Sequence, residues 1–224
     1  MFSDNSNSLI YVHIGKCGGA TLGKSLLASP IINKKFHTFT KIHVCKPPIL
    51  KNASYVIVVR NPIKRAISAF NWRYKLVVED GIQKNRFKGE YEILTKYKTL
   101  NIMAEKLYIG DELNYEVANE FHTIHHLNEN ISFYLKPLLD EISNTQIFAV
   151  FATESLDEDI FQILGSKNNL TIHKNSANIS VEKKFLSGIS YKNLKKYLSE
   201  DYQYVEKLLN MNNSSSVNKD MLLS

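Results

Sequence analysis

Short apolar runs alternate along the chain with longer stretches in which apolar positions recur every three or four residues. Three of these runs, at residues 9–14, 55–59 and 147–151, are rich in β-branched and aromatic residues. Such runs are typical of strands that are buried on both faces of a parallel sheet. A weaker run predicts a fourth strand within residues 36–44.

The stretches between and after the strands predict helices over residues 21–28, 62–80, 90–107, 116–139, 157–164 and 192–209. Strands that alternate with helices favour an α/β fold with a central parallel sheet flanked by helices. No linker composition interrupts this pattern, so we expect residues 1–209 to form a single domain. The polar, low-complexity tail at residues 210–224 is expected to be disordered.

The composition restricts the class of protein. Of the 224 residues, 44% are hydrophobic, and 12 Tyr and 11 Phe supply material for a core, which excludes global disorder. No apolar run approaches the roughly 20 residues that span a bilayer, and the N-terminus lacks the basic and apolar regions of a secretory signal. The two cysteines, Cys17 and Cys45, cannot form a disulfide framework, so we expect a reducing, cytoplasmic setting.

The first predicted strand runs into a glycine-containing loop, Gly15-Lys16-Cys17-Gly18-Gly19-Ala20-Thr21. A strand, a glycine loop and then a helix present free backbone N–H groups and a helix N-terminus to an anion. The glycine pair permits a close approach of the backbone, and Lys16 adds a positive charge. The loop therefore predicts a phosphate site, and the alternative is an ordinary turn with a solvated lysine.

Residues 18–25 also satisfy the Walker A pattern of nucleoside triphosphatases, G-x-x-x-x-G-K-[ST], letter for letter. Three features disfavour that interpretation. Gly18 lies four residues beyond the predicted strand end, and a helix that started at Lys24 would be under two turns long. The second strand also ends in Arg60 rather than in an acidic magnesium ligand. We therefore expect Lys16, and not Lys24, to face the anion.

The second predicted strand leads into another cationic element, which continues from Arg60 through Asn61 and Pro62 to Ser68. Asn61 and Pro62 predict a helix start, at the N-cap and first helical positions. Arg60, at the carboxyl end of a strand, is directed towards the crevice where open α/β sheets bind ligands. Its planar fork suits a phosphate, and the Ser68 hydroxyl supplies a further donor. The alternative to a phosphate site is that Arg60 lies on the surface and Ser68 faces solvent.

Together, the two elements resemble the phosphate-binding motifs of the sulfotransferase family, above all its carbohydrate branch with the heparan O-sulfotransferases. The family's loop P-K-x-G-[GS]-T is similar to Gly15-Lys16-Cys17-Gly18-Gly19-Ala20, and its element R-D-P-x-x-R-x-x-S is similar to residues 60–68. Residues 152–159 and 173–176 are also similar to family segments, so the likeness covers most of residues 9–209. The departures from the family pattern are Gly15, Cys17, Ala20 and Asn61.

The resemblance implies a P-loop-like three-layer fold and a transferase that uses 3′-phosphoadenosine 5′-phosphosulfate (PAPS) as co-substrate, without a metal. It implies in-line transfer of the sulfuryl group to a hydroxyl or amine of a carbohydrate or small metabolite. The residues implied in PAPS binding are Lys16, Cys17, Gly18, Gly19, Ala20, Thr21, Arg60 and Ser68. Lys16 is also implied in catalysis, because it would neutralise the leaving 5′-phosphate.

An acceptor hydroxyl needs a general base that titrates near neutral pH, which favours histidine. His43 resembles the histidine of a His-Val step where the heparan branch keeps its base, and we expect it to be catalytic. Its rivals are His122, His125 and His126. On a continuous helix His122 and His126 would share a face at metal-ligand spacing, but no third ligand is evident and we expect no metal.

The net charge of +6 suits an anionic ligand, a polyanionic partner or a merely basic surface. Much of the excess lies in residues 72–98, where aromatic side chains are interleaved with Lys and Arg. This segment suits a glycan or small anionic acceptor, and equally a nucleic-acid-binding module that holds a single strand. The alternative is a solvated, partly helical lobe that binds no ligand.

Cys17 lies beside Lys16 in the glycine loop, close to a predicted helix N-terminus. These conditions activate a thiol. We expect Cys17 to be alkylated faster than Cys45 and to be protected by the bound donor or its bisphosphate product.

Overall fold

The computed structural model describes residues 7–165, 181–211 and 219–224. The chain divides into two compact units. The first unit comprises Met1–Asn61, Ile131–His173 and Asp201–Ser224, and the second unit comprises Pro62–Asn130 and Lys174–Glu200. The expected single domain of residues 1–209 is thus divided between two units. The boundary at Asn61 and Pro62 falls between a strand and the next helix, so no linker composition marks it in the sequence.

The described residues form the strands β1 (Ser8–His13), β2 (Thr38–Ile42), β3 (Ala53–Val59), β4 (Tyr108–Ile109), β5 (Glu112–Leu113) and β6 (Ile147–Ala152). They also form the helices α1 (Gly19–Ala28), α2 (Pro30–Lys35), α3 (Pro62–Tyr74), α4 (Glu90–Tyr97), α5 (Leu100–Glu105), α6 (Tyr115–Thr123), α7 (Ile131–Leu139), α8 (Leu156–Leu164), α9 (Val181–Lys184), α10 (Gly188–Tyr197), α11 (Ser199–Met211) and α12 (Lys219–Leu223). A π-helical turn, Lys75–Glu79, follows α3, and 3₁₀ turns lie at Asn144–Gln146 and Thr153–Ser155.

Four strands form a parallel sheet in the first unit, in the order β2-β1-β3-β6. β1 and β3 are central and buried along nearly their whole length, which explains why their sequences are apolar. β2 is an edge strand with exposed or half-buried side chains, which explains its weaker apolar signal. The structure thus confirms an α/β fold with a central parallel sheet flanked by helices.

The core of the first unit packs the sheet against side chains of α1, α7, α8 and α11. Leu22 and Leu26, four residues apart on α1, are both fully buried, as an amphipathic helix on a sheet requires. Among the described residues, no helix combines the length and apolar character needed to cross a bilayer.

The described end of the chain differs from the expected disordered tail. Residues 219–224 include α12, whose Leu222 side chain is fully buried in the core of the first unit. The Asn61 side-chain amide donates to the carbonyl oxygens of Leu222 (3.1 Å) and Ser224 (2.8 Å). One buried leucine and a distant polar anchor therefore order a segment whose composition predicts disorder.

The second unit contains helices and an antiparallel hairpin of β4 and β5.

Three predicted helices are each divided into two, at residues 98–99, 124–130 and 198. Lys98 (φ 62°) and His126 (φ 68°) adopt left-handed conformations, which a right-handed helix cannot continue through. Apolar periodicity persists across these breaks and therefore does not reveal them.

Candidate functional site

The carboxyl ends of β1 and β3 offer the most favourable place for a ligand in the first unit. β2 pairs with one side of β1 and β3 with the other, so the direction of the chain across the sheet reverses there. Ligands of open α/β sheets bind outside the carboxyl ends of the strands at such a switch point. Lys16 follows β1 and Arg60 follows β3, so both predicted cationic elements begin at this point.

The loop after β1 leaves three consecutive amides open. Lys16 (φ 69°) and Gly18 (φ 74°) adopt left-handed conformations, and α1 begins at Gly19. Within the described part of the chain, the N–H groups of Gly18, Gly19 and Ala20 have no hydrogen-bond partner, whereas the Thr21 amide donates to the Gly18 carbonyl at 3.2 Å. Three open amides at a helix N-terminus suit an anion. The Thr21 amide, which the resemblance also implies in PAPS binding, already donates a hydrogen bond within the turn.

Each glycine of the pair meets a separate steric requirement. Gly18 adopts a positive φ, which L side chains rarely tolerate. A Cβ on Gly19 would lie 1.8 Å from Cδ2 of His13, so the imidazole occupies the space of the missing side chain. The His13 ring is stacked on Tyr11, with centroids 5.7 Å apart, and on His43 at 4.3 Å. The glycine loop therefore packs directly against His13, which is itself stacked on His43.

Cys17 is not an accessible residue of this loop. Its side chain is fully buried in the core, and its amide donates to the Ile14 carbonyl at 3.3 Å. The expectation of a reactive Cys17 thiol is therefore wrong, because reagents and ligands do not reach a fully buried sulfur. Cys45 is the exposed thiol.

Arg60 lies against the glycine loop and beside a buried carboxylate. Its Nη1 donates to the Lys16 carbonyl at 3.2 Å, and its Nε lies 4.0 Å from Oε1 of Glu154. Glu154 also accepts a hydrogen bond from the Asn61 amide at 3.2 Å. Arg60 Nε and Glu154 Oε2 are buried and have no hydrogen-bond partner among the described residues. Open buried polar atoms are rare in proteins. Here one belongs to Arg60, which donates to the glycine loop, and the other belongs to the carboxylate beside it.

Glu154 is a site residue that sequence reasoning does not identify. It lies in residues 152–159, which carry only a general resemblance to the sulfotransferases, and the similar residues 173–176 lie outside the described part of the chain. The sequence feature that could have identified Glu154 is its position: an acidic residue just after a third parallel strand, at the same sheet edge as Arg60. Thr153 Oγ1 donates to the Val59 carbonyl at 3.1 Å, which ties the end of β6 to the end of β3.

His43 follows β2 and is oriented by the last residue of β1. Its Nδ1 lies 3.0 Å from the His13 carbonyl oxygen. Because a carbonyl only accepts hydrogen bonds, Nδ1 carries the proton, and the lone pair of the neutral ring is on Nε2. The two rings are stacked with their planes inclined by 16°. The structure therefore selects Nε2 as the nitrogen that can act as a base.

Burial, followed by the charges of His43 and Lys41, lowers the pKa of His13 from 6.5 to about 3. The unfolded state therefore binds this proton more tightly, and stability falls as the pH drops below 6.5. As the pH falls from about 7.5 to about 5, we expect the free energy of unfolding of the wild type to drop by about 2 kcal/mol because of His13. His13→Gln cannot take up the proton, so urea titrations should show a smaller pH dependence. An equal dependence in both proteins would show that His13 is not held neutral.

The other residues of the second cationic element have different surroundings. Arg65 is buried, and its Nη2 donates to the carbonyl oxygens of His126, at 2.7 Å, and Glu129. Arg65 thus stabilises a turn of the second unit. Ser68 is half-buried on α3, also in the second unit, and its contact with a 3′-phosphate stays a prediction.

The rival histidines lie at and beyond the end of α6. His122 is exposed on that helix, whereas His126 lies past its end in the left-handed turn. The predicted pairing of His122 and His126 on one helical face is therefore wrong. His125 stacks on Phe87, with centroids 4.5 Å apart, and its Nδ1 lies 3.3 Å from Glu129.

The segment at residues 72–98 offers fewer binding groups than its composition suggests. Arg73 is buried and donates to both carboxylate oxygens of Glu90, at 2.8 and 2.6 Å. Tyr97 is also buried. Neither side chain is available to stack on a base or to pair with a phosphate.

The start of α1 also bears on the Walker A interpretation. The helix begins at Gly19, more than one turn before Lys24, and Lys24 is exposed. A Walker lysine instead lies at the start of its helix and reaches the phosphates that the loop holds. The geometry therefore disfavours residues 18–25 as a Walker A loop.

Comparisons with protein-family models, with curated proteins and with solved structures give no significant match. The function is therefore inferred from the site and from the resemblance of its motifs.

Proposed function

We propose that the chain is a PAPS-dependent sulfotransferase, which transfers a sulfuryl group to a hydroxyl of an acceptor. One observation carries the proposal. The loop with three open amides and the Arg60 guanidinium lie together at the ends of β1 and β3, joined by the hydrogen bond to the Lys16 carbonyl. Such an arrangement suits a ligand that carries several anionic groups. PAPS is such a ligand, and the two motifs resemble those that bind it.

We also infer that the first unit is a P-loop-like variant of the α/β fold. The glycine loop follows the central strand β1 and leads into a helix, and the second cationic element follows the adjacent parallel strand β3. P-loops place backbone amides and a helix N-terminus around phosphate oxygens in the same position. This likeness supports the assignment of a phosphate group to the loop.

In the proposed reaction, the bond between the sulfuryl sulfur and the bridging oxygen of the 5′-phosphate breaks. A new bond forms from sulfur to the acceptor oxygen, and adenosine 3′,5′-bisphosphate leaves. His43 Nε2 accepts the hydroxyl proton, since Nδ1 donates to the His13 carbonyl.

Lys16 and the open amides stabilise the negative charge that develops on the leaving phosphate. A sulfuryl group carries less negative charge than a phosphoryl group, so these donors replace the cations that phosphoryl transfer uses. The chain's own part in the reaction is positioning and charge stabilisation, together with one proton transfer.

His43→Ala is expected to lower kcat by about 100-fold or more and to leave the affinity for adenosine 3′,5′-bisphosphate nearly unchanged, because the base touches the acceptor and not the nucleotide. Lys16→Ala should also lower kcat by about 100-fold, with a much smaller loss of nucleotide affinity. Transfer of labelled sulfuryl groups from PAPS to glycans and small hydroxyl compounds measures kcat, and calorimetry measures affinity.

His37→Ala is the matched control, since His37 is an exposed histidine just before β2 and has no expected role. It should retain both kcat and affinity. If His43→Ala keeps the wild-type kcat, a group other than His43 acts as the base. A wild-type kcat in Lys16→Ala would contradict the proposed stabilisation of the leaving group.

A further inference from the structure

A separate group of metal-ligating side chains lies in the turn that follows α6, in the second unit. His125, His126 and Glu129 each offer a ligand atom, and these atoms lie within 4.8 Å of one another. His125 Nδ1 is 3.3 Å from Glu129 Oε2. Two ligands of tetrahedral zinc, each about 2.0–2.1 Å from the ion, lie roughly 3.3 Å apart. One ligand pair therefore has the required separation, and the third ligand atom lies within 4.8 Å of both.

Neighbouring polar groups hold this turn in place. Arg65 donates to the carbonyl oxygens of His126 and Glu129, and Glu90 accepts a hydrogen bond from the His125 amide at 2.9 Å. The His126 amide donates to Glu129 Oε2 at 2.8 Å. The backbone that carries all three ligands is thus ordered in advance, so metal binding pays little conformational entropy.

The charges of the turn also suit a cation, with one opposing contribution. Glu129 contributes the carboxylate of the group, and its Oε2 lies 3.3 Å from His125 Nδ1. The Arg65 guanidinium repels a cation, so we expect weaker binding than at a closed four-ligand zinc site.

We propose that His125, His126 and Glu129 form a zinc site with two imidazole nitrogens, one carboxylate oxygen and an open fourth position. Zinc accepts this donor set in sites that keep a position for water or substrate. Without a thiolate, the set does not favour soft ions such as Cu(I). The proposed sulfuryl transfer does not use these three residues, so the two proposals stand or fall separately.

The test uses the full chain, freed of metal with a chelator and desalted. Calorimetry with Zn²⁺ should give one ion per chain. Visible spectroscopy with Co²⁺ should show nitrogen and oxygen ligation without a thiolate band, which excludes the exposed Cys45 as a ligand. A wild-type protein without a saturable zinc site would overturn the proposal.

Glu129→Gln and His126→Asn should each weaken zinc binding by about tenfold or more. Both changes are conservative for folding, because a glutamine amide oxygen can accept the hydrogen bond from the His126 amide, and asparagine tolerates the left-handed conformation at that position. Melting curves without metal check that the variants fold. If His126→Asn does not fold, Glu129→Gln alone decides, and unweakened binding by it overturns the proposal.

His122→Ala is the matched control, since His122 is exposed on α6 just upstream of the turn. It should bind zinc as tightly as the wild type. Loss of binding in His122→Ala together with unchanged binding in Glu129→Gln would overturn the proposal and place the metal on the helix instead.

Discussion

Replacing Gly19 by alanine is expected to destabilise the protein by about 3 kcal/mol and to remove tight anion binding. The added Cβ would lie 1.8 Å from Cδ2, 2.2 Å from Nε2 and 2.7 Å from Cγ of His13. The His13 ring cannot easily move away, because it is buried and stacked on both Tyr11 and His43. The glycine loop must shift instead, and its open amides shift with it. Urea unfolding and nucleotide calorimetry measure the two effects.

Gly23→Ala is the matched control on the same helix. A Cβ there would meet only Tyr11 Cε1, at 3.4 Å, which is an ordinary contact. Because alanine is the better helix former, this variant should gain up to about 1 kcal/mol and keep its anion affinity. Equal effects of the two substitutions would mean that the contact of Gly19 with His13 does not shape the loop.

Arg60→Gln is expected to weaken the binding of adenosine 3′,5′-bisphosphate by about 10- to 100-fold. Hydrogen bonds from a charged donor contribute about 1.5–3 kcal/mol, which corresponds to this range. A glutamine amide can still donate to the Lys16 carbonyl, so the hydrogen bond that supports the glycine loop need not be lost. Calorimetry on the folded variant measures the change.

Two further variants separate a specific contact from a general loss of charge. Glu154→Gln removes the negative charge beside Arg60, so it should tighten anion binding. The glutamine amide oxygen can still accept the hydrogen bond from the Asn61 backbone amide, so the local structure is kept. Lys24→Ala removes an exposed lysine of α1 and should leave affinity unchanged. If Lys24→Ala weakens binding as much as Arg60→Gln does, the ligand is held by the Walker A residues or by surface charge alone.

The sheet could be predicted because its central strands are buried on both faces. Such strands need continuous apolar runs, and residues 9–14, 55–59 and 147–151 carry them. The proximity of Lys16 and Arg60 could be predicted as well, since the carboxyl ends of parallel strands lie at one edge of a sheet. The hydrogen bond between these residues agrees with that inference.

The remaining features depend on tertiary contacts that leave little trace in the sequence. Gly19 and its neighbour predict a phosphate loop, but the His13 ring that fills the space beside Gly19 could not be inferred from residue types. Cys17 lies in a tight turn that directs its side chain into the core, against the expectation from its charged neighbour. The predicted helix over residues 116–139 is interrupted at Ile124, whose backbone is extended, and again at the left-handed His126. Apolar periodicity does not report either conformation.

The central claim is that Lys16, the open amides and Arg60 hold a doubly phosphorylated adenosine. Its most direct test is a calorimetric titration of the wild-type chain with adenosine 3′,5′-bisphosphate in the presence of a chelator, with ATP–Mg²⁺ as the comparison. The account predicts saturable binding of one bisphosphate per chain without any metal and much weaker binding of ATP–Mg²⁺. No heat of binding from the bisphosphate, alongside tight binding of ATP–Mg²⁺ or of single-stranded nucleic acid that weakens steeply with salt, would contradict it.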